Sequence, residues 1–134
     1  MLGGGVMNGN TGVVVVVCTF PGQEVARQIG TLLVERQLAA CVNLLPGAES
    51  IYAWQGEVHR EPEVLALIKT TAAGYPALQA ALLDLHPYDV PEVIALPLAA
   101  GAPAYLDWVA AQCPGSPGSP GSPGRPGSPG SPGG

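Results

Sequence analysis

Positive charge is scarce in this chain. Five Lys and Arg stand against 10 Asp and Glu in 134 residues, giving a formal net charge of −5. The basic residues Arg27, Arg36, Arg60, Lys69 and Arg125 are scattered rather than gathered. A surface that neutralises phosphates needs Lys and Arg on one face, so nucleic acid and anionic membranes are excluded as partners. Cysteine is scarce too: Cys18, Cys41 and Cys113 stand far apart, with no Cys-x-x-Cys pair. That excludes a disulfide scaffold and points to a reducing compartment. No apolar run reaches the length of a membrane span. Residues 1–12 lack a basic n-region, and Val13 to Val17 is too short for a signal h-region. A cytoplasmic protein is the expectation.

The usual catalytic signatures are also missing. There is no Gly-x-Ser-x-Gly, Walker loop, His-Glu-x-x-His or Gly-x-Gly-x-x-Gly. The first strand–helix turn, Thr19-Phe20-Pro21-Gly22, carries no arginine that could cradle a phosphate. No enzymatic activity is expected.

What is present falls into three compositional zones. Residues 1–12 are Gly- and Asn-rich and read as a disordered N-terminus. Residues 13–113 have the length and composition of one domain. Residues 114–134 repeat Gly, Ser and Pro and read as a disordered tail. From Gly115 glycine falls at every third position through six Gly-x-Pro triplets, one carrying Arg125. Strict glycine spacing is what a collagen triple helix requires, so a short triple helix is the alternative for a trimeric chain.

Inside the domain, Val13 to Thr19 is β-branched and unalternating, the mark of a central strand buried on both faces. Gln23 to Gln37 carries Val25, Ile29, Leu32 and Leu33 at helical spacing. Ala40 to Leu45 reads as strand, Pro46-Gly47 as a bulge, and Ser50 to Trp54 as strand resumed. Trp54-Gln55-Gly56-Glu57 reads as a tight hairpin turn. Glu57 to Arg60 returns, and Val64 to Thr71 is another buried strand. Thr71 is placed to cap a helix that buries Leu78, Ala81, Leu82 and Leu85. The corner His86-Pro87-Tyr88-Asp89-Val90-Pro91-Glu92 cannot be helical, because its prolines lack an N–H and push the preceding residue to extended geometry. Val93 to Leu96 is a short strand. Pro103 opens a last helix that buries Tyr105, Trp108 and Val109. The order β-α-β-β-α-β plus a helix predicts an α+β, ferredoxin-like split β-α-β sandwich. The long hairpin outreaches such a unit, and an extended arm of this kind pairs with another chain.

With the corner and hairpin placed, the chain resembles the CutA divalent-cation tolerance family. The resemblance rests on Leu38-Ala39-Ala40-Cys41-Val42-Asn43 with Pro46-Gly47, and on Ser50-Ile51-Tyr52 with Trp54 and Gly56. It continues through Ile68-Lys69-Thr70-Thr71, His86-Pro87-Tyr88 with Val90-Pro91-Glu92, and Tyr105-Leu106-Asp107-Trp108. It implies a homotrimer joined through the hairpins, similar in plan to the nitrogen-regulatory PII proteins. It also implies a role in tolerance of copper and other divalent cations. Copper in such proteins is associated with a cysteine at the Cys18 position and a histidine at the His-Pro-Tyr corner. Cys18 and His86 are therefore the candidate metal ligands, for copper or another divalent cation held weakly or transiently. This chain carries Leu85 where some members have a second histidine.

Each candidate has a plainer reading. Cys18, just before a helix, gains thiolate character if the helix N-terminus faces it; otherwise it is a small buried hydrophobe. His86 is either a ligand or a helix C-cap bonded to the last carbonyls. Cys41 reads as core and Cys113 as an exposed thiol. Tyr52, Trp54, Glu61, Lys69, Tyr88 and Glu92 are the candidates for an inter-subunit cleft. There Lys69 would need Glu61 or Glu92 as a partner. The cleft serves a small anionic ligand in a PII-like signalling module, or is merely an interface salt bridge. The leading expectation is a homotrimeric metal-binding or metal-response protein without catalytic activity.

Overall fold

A computed structural model describes residues 11–114. The expected disorder at the two ends, and the triple-helix alternative for the tail, lie almost wholly outside the described residues.

The elements run β1 (Val13–Phe20), α1 (Gln23–Glu35), β2 (Cys41–Trp54), β3 (Glu57–Thr71), α2 (Tyr75–Leu85), β4 (Val93–Pro97) and α3 (Pro103–Gln112). The strands form one four-stranded sheet in the order β2-β3-β1-β4, antiparallel at every junction. This is a small α+β fold. Its element order matches the order read from the sequence.

One face of the sheet carries the main core. Val14, Val16, Cys18 and Phe20 of β1 alternate inward and meet Val64, Ala66 and Ile68 of β3. The stripe of α1 (Ala26, Ile29 and Leu33) and Leu78 and Leu82 of α2 close over them. Helix α1 comes very near the sheet at Gly30, where an added Cβ would lie 3.3 Å from Val42 Cγ1. Beyond α1 the chain reverses at Gln37, a non-glycine residue at φ 60°. The Leu38 and Ala39 amides then donate to Leu33 O.

The opposite face corrects one expectation. β1 is not buried on both sides: Val15 and Val17 are only half-buried. Helix α3 covers one end of this face, packing Val109 on Val13, Ala40 and Cys113. The rest stays open, with Ile94 and Leu96 of β4 more than half exposed. Cys113 is buried rather than exposed, because it closes this small second cluster beside Thr70. Cys41 is only half-buried rather than core. It begins the edge strand, its thiol donating to Asn43 Oδ1. Tyr105 and Trp108 of α3 are likewise half-buried.

The hairpin is longer and more continuous than its Pro and Gly residues suggest. The β2–β3 pairing persists past Pro46-Gly47 with a register shift between Leu45 and Ala48, and Gly47 supplies φ 91°. The turn at Gln55-Gly56 has φ 51° and 83°, the positive pair a type I′ hairpin needs. Along this arm one face presents Ile51 and Val58, 64% and 74% exposed. The other presents Tyr52, stacked on its cross-strand partner His59 at 5.4 Å, and Trp54.

Candidate functional site

The corner after α2 is where the chemistry gathers. Pro87 forces His86 into extended geometry, φ −72° and ψ 140°, so the helix stops there. The His86 amide still donates to Leu82 O, which makes the residue the C-cap. Its ring, however, does not reach the helix carbonyls, as the plainer reading expected. It turns inward, 7% exposed, and stacks on Phe20 at 4.9 Å and 16°. Nε2 lies 2.7 Å from Thr19 O. A carbonyl only accepts, so Nε2 carries the hydrogen. Nδ1 in turn accepts from the Tyr88 amide at 3.1 Å. Both ring nitrogens are therefore engaged.

Tyr88 is held again at its other end. Its hydroxyl donates to Glu63 Oε2 at 2.6 Å, and Ser50 Oγ donates to Glu63 Oε1 at 2.6 Å. One carboxylate thus joins β2, β3 and the corner. Burial, this bond and the charges of Glu63 and Glu61 push the Tyr88 phenol well above its ordinary value.

Cys18 is fully buried beneath the corner. Its thiol points to Thr19 O at 3.8 Å. Burial, then Glu92 and Glu63, push it from 9.0 up to about 12. The expected thiolate stabilisation by a helix terminus does not materialise, because desolvation and nearby carboxylates dominate. As arranged, Cys18 and His86 do not fit a metal: the thiol keeps its proton, and the imidazole has no free lone pair. No group of three or more His, Cys, Asp or Glu among the described residues is arranged to hold an ion.

Within one protomer the structure brings His86 and Tyr88 together and places Cys18 in the same core cluster as Phe20, on which His86 stacks, with Glu92 near enough to act on Cys18 and Glu61 on Tyr88. Tyr52 also acts on Tyr88. It does not bring Lys69 there. Lys69 bonds Asn43 Oδ1, not Glu61 or Glu92. Glu63 stands six positions back along the strand, on the order of 20 Å away. Trp54 lies out at the hairpin turn. Sequence reasoning missed Glu63, Ser50 and the Thr19 carbonyl. Glu63 carried one usable signal: it faces the bulge that Pro46-Gly47 announces, where a strand bends and a side chain is re-aimed. A recess of about 320 Å³ between α1 and β2, lined by Arg27, Thr31, Val34 and Leu44 among others, lies away from this corner.

Comparison with known proteins gives a consistent answer. The family model of CutA1 divalent ion tolerance protein matches residues 14–112. The divalent-cation tolerance protein CutA of Thermus thermophilus is 55% identical over 95 residues, covering 71% of this chain and 92% of that protein. Mouse protein CutA is 46% identical over 107 residues, covering 80% of this chain but 59% of its own length. Among solved structures, CutA1 from Oryza sativa superposes with a TM-score of 0.76 at 40% identity, covering 78% of this chain and 95% of that one.

Proposed function

The chain belongs to the CutA1 divalent ion tolerance family, and from that membership we propose a homotrimeric, non-catalytic divalent-cation tolerance protein of ferredoxin-like protomers. The sheet order β2-β3-β1-β4 with antiparallel pairing supports the ferredoxin-like description. The apolar residues exposed on the arm and on β4 support association, since a lone protomer would leave Ile51, Val58, Ile94 and Leu96 in water. Cys18, Cys41 and Cys113, scattered and not joined by a disulfide among the described residues, support a reducing, cytoplasmic setting.

The observation that carries the cation reading is the charge around the corner. Glu63 and Glu92 act on Cys18, and Glu61 and Glu63 act on Tyr88. A cation complements that field; a small anion does not. The PII-like alternative, with Tyr52, Trp54, Glu61, Lys69, Tyr88 and Glu92 lining an anion cleft between subunits, is accordingly the weaker reading. A cation would meet carboxylate oxygens first, the ligands that suit hard divalent ions. It would have to displace the hydroxyls already bonded to Glu63, so binding is weak or transient. Copper at Cys18 and His86 would require the ring to leave Thr19 O and the thiol to lose its proton.

Calorimetric titration with copper and with a hard divalent ion tests this. Glu61→Gln with Glu92→Gln should weaken binding at least about tenfold, while Cys18→Ser with His86→Ala leaves it unchanged. Loss of binding in the Cys18/His86 variant alone would return the site to that pair. Absence of binding in the wild-type protein would defeat the cation reading.

A further inference from the structure

Among the described residues, no helix lies behind the arm. From Ala48 to Glu63 its residues are exposed or half-buried, and at its base the β2–β3 register is broken between Leu45 and Ala48. A bulge is where a two-stranded ribbon bends and twists most readily. Core packing therefore does not fix the direction in which the arm leaves the sheet. We propose that Tyr88 does so, as the middle link of a brace running from the end of β1 to both strands of the arm base.

The links are continuous. Thr19 O receives His86 Nε2–H at 2.7 Å. His86 Nδ1 receives the Tyr88 amide at 3.1 Å. The Tyr88 hydroxyl reaches Glu63 at 2.6 Å, and the same carboxylate receives Ser50 at 2.6 Å. Each end is anchored in something rigid. The His86 ring is buried against Phe20, itself 1% exposed. Pro87 and Pro91 stiffen the corner on both sides of Tyr88. Glu63 sits opposite Ala48, the first paired residue beyond the bulge. The tyrosine is thus clamped at its backbone by a core histidine and at its hydroxyl by the arm. Removing the hydroxyl uncouples the two without emptying the core. Tyr88 and Glu63 are positioning residues: they set where the arm points, and so the geometry with which a second copy can meet it. The brace stands whether or not the protein binds a cation.

Hydrogen exchange of the metal-free full-length chain, read segment by segment, tests it. In Tyr88→Phe the amides at the arm base, residues 48–51, 60, 61 and 63, should exchange about tenfold faster, the loss expected for a hydrogen bond to a charged acceptor. Amides of Val64–Thr71 in the same strand should accelerate by no more than the global loss of stability requires, since they open with the whole fold. Ser50→Ala should produce a smaller acceleration at the same arm-base residues. Acceleration of the core with unchanged exchange at the arm base would mean that Tyr88 merely stabilises the fold, and would overturn the proposal.

Discussion

β3 passes through two very different environments in fifteen residues. From Val64 to Thr71 it lies between β1 and β2 beneath two helices, and Ala66, Ile68 and Thr70 are wholly buried. From Glu57 to Glu63 the same strand pairs, among the described residues, with β2 alone, and Val58 is 74% exposed. Strand pairing resumes beyond the register shift at the boundary; burial does not. The half-sheet under the helices draws its stability from packing within one chain. The arm's apolar faces are finished only by contact with something else, and a two-stranded ribbon alone is marginal in water.

The largest expected effect lies on the packed side. Phe20→Ala removes a core ring and the surface on which His86 stacks. It should cost about 3–5 kcal/mol in urea unfolding; a loss below about 1 kcal/mol would show that the core does not depend on this ring. On the arm, Ile51→Lys with Val58→Lys should leave helix content intact and shift sedimentation to the single chain. If the variant keeps its assembled mass, the arm is not where copies meet.

Between the two regions stands Tyr88. Tyr88→Phe should cost about 1–2 kcal/mol, measured by denaturant midpoint. Cys18 gives a pH test of the same neighbourhood. Its native value is raised from 9.0 to about 12, so its contribution is complete below about pH 9 and is lost as pH rises toward 12. Between those limits the unfolded chain sheds the proton that the folded chain keeps, and stability falls by at most about 1.4 kcal/mol per pH unit. Cys18→Ser should flatten that decline; an identical slope in the variant would assign it to other groups. The smallest effect belongs to the turn. Gln55 holds φ 51° next to Gly56, and Gln55→Asn should slow arm exchange by a few tenths of a kcal/mol, leaving the packed half untouched.

The sequence made the elements legible where local chemistry decides them. The valine run, the helical stripe of α1, the Gln55-Gly56 turn and the Pro46-Gly47 bulge all stand where expected. The candidate site was half legible. His86 and Tyr88 announce themselves through the prolines that pin them. What they bond to, Thr19 O and Glu63, is set by strand register across distances of 67 and 25 residues, which no local pattern encodes. The errors share that origin. Thr71 was expected to cap α2. Its hydroxyl does accept from the Gly74 amide at 2.9 Å, but Gly74 itself is the N-cap. Lys69 was given Glu61 or Glu92 as a partner in a cleft between subunits; within the protomer, register puts it beside Cys41 and within reach of Asn43. Of the two readings of Cys18, the structure bears out the buried small hydrophobe on the inward face of a central strand rather than the helix-terminus thiolate.

Light scattering of the full-length chain at micromolar concentration bears most directly on whether the arm is completed by other copies. The account predicts a mass three times that of the 13.5 kDa chain. A stable, folded species of single-chain mass would contradict it.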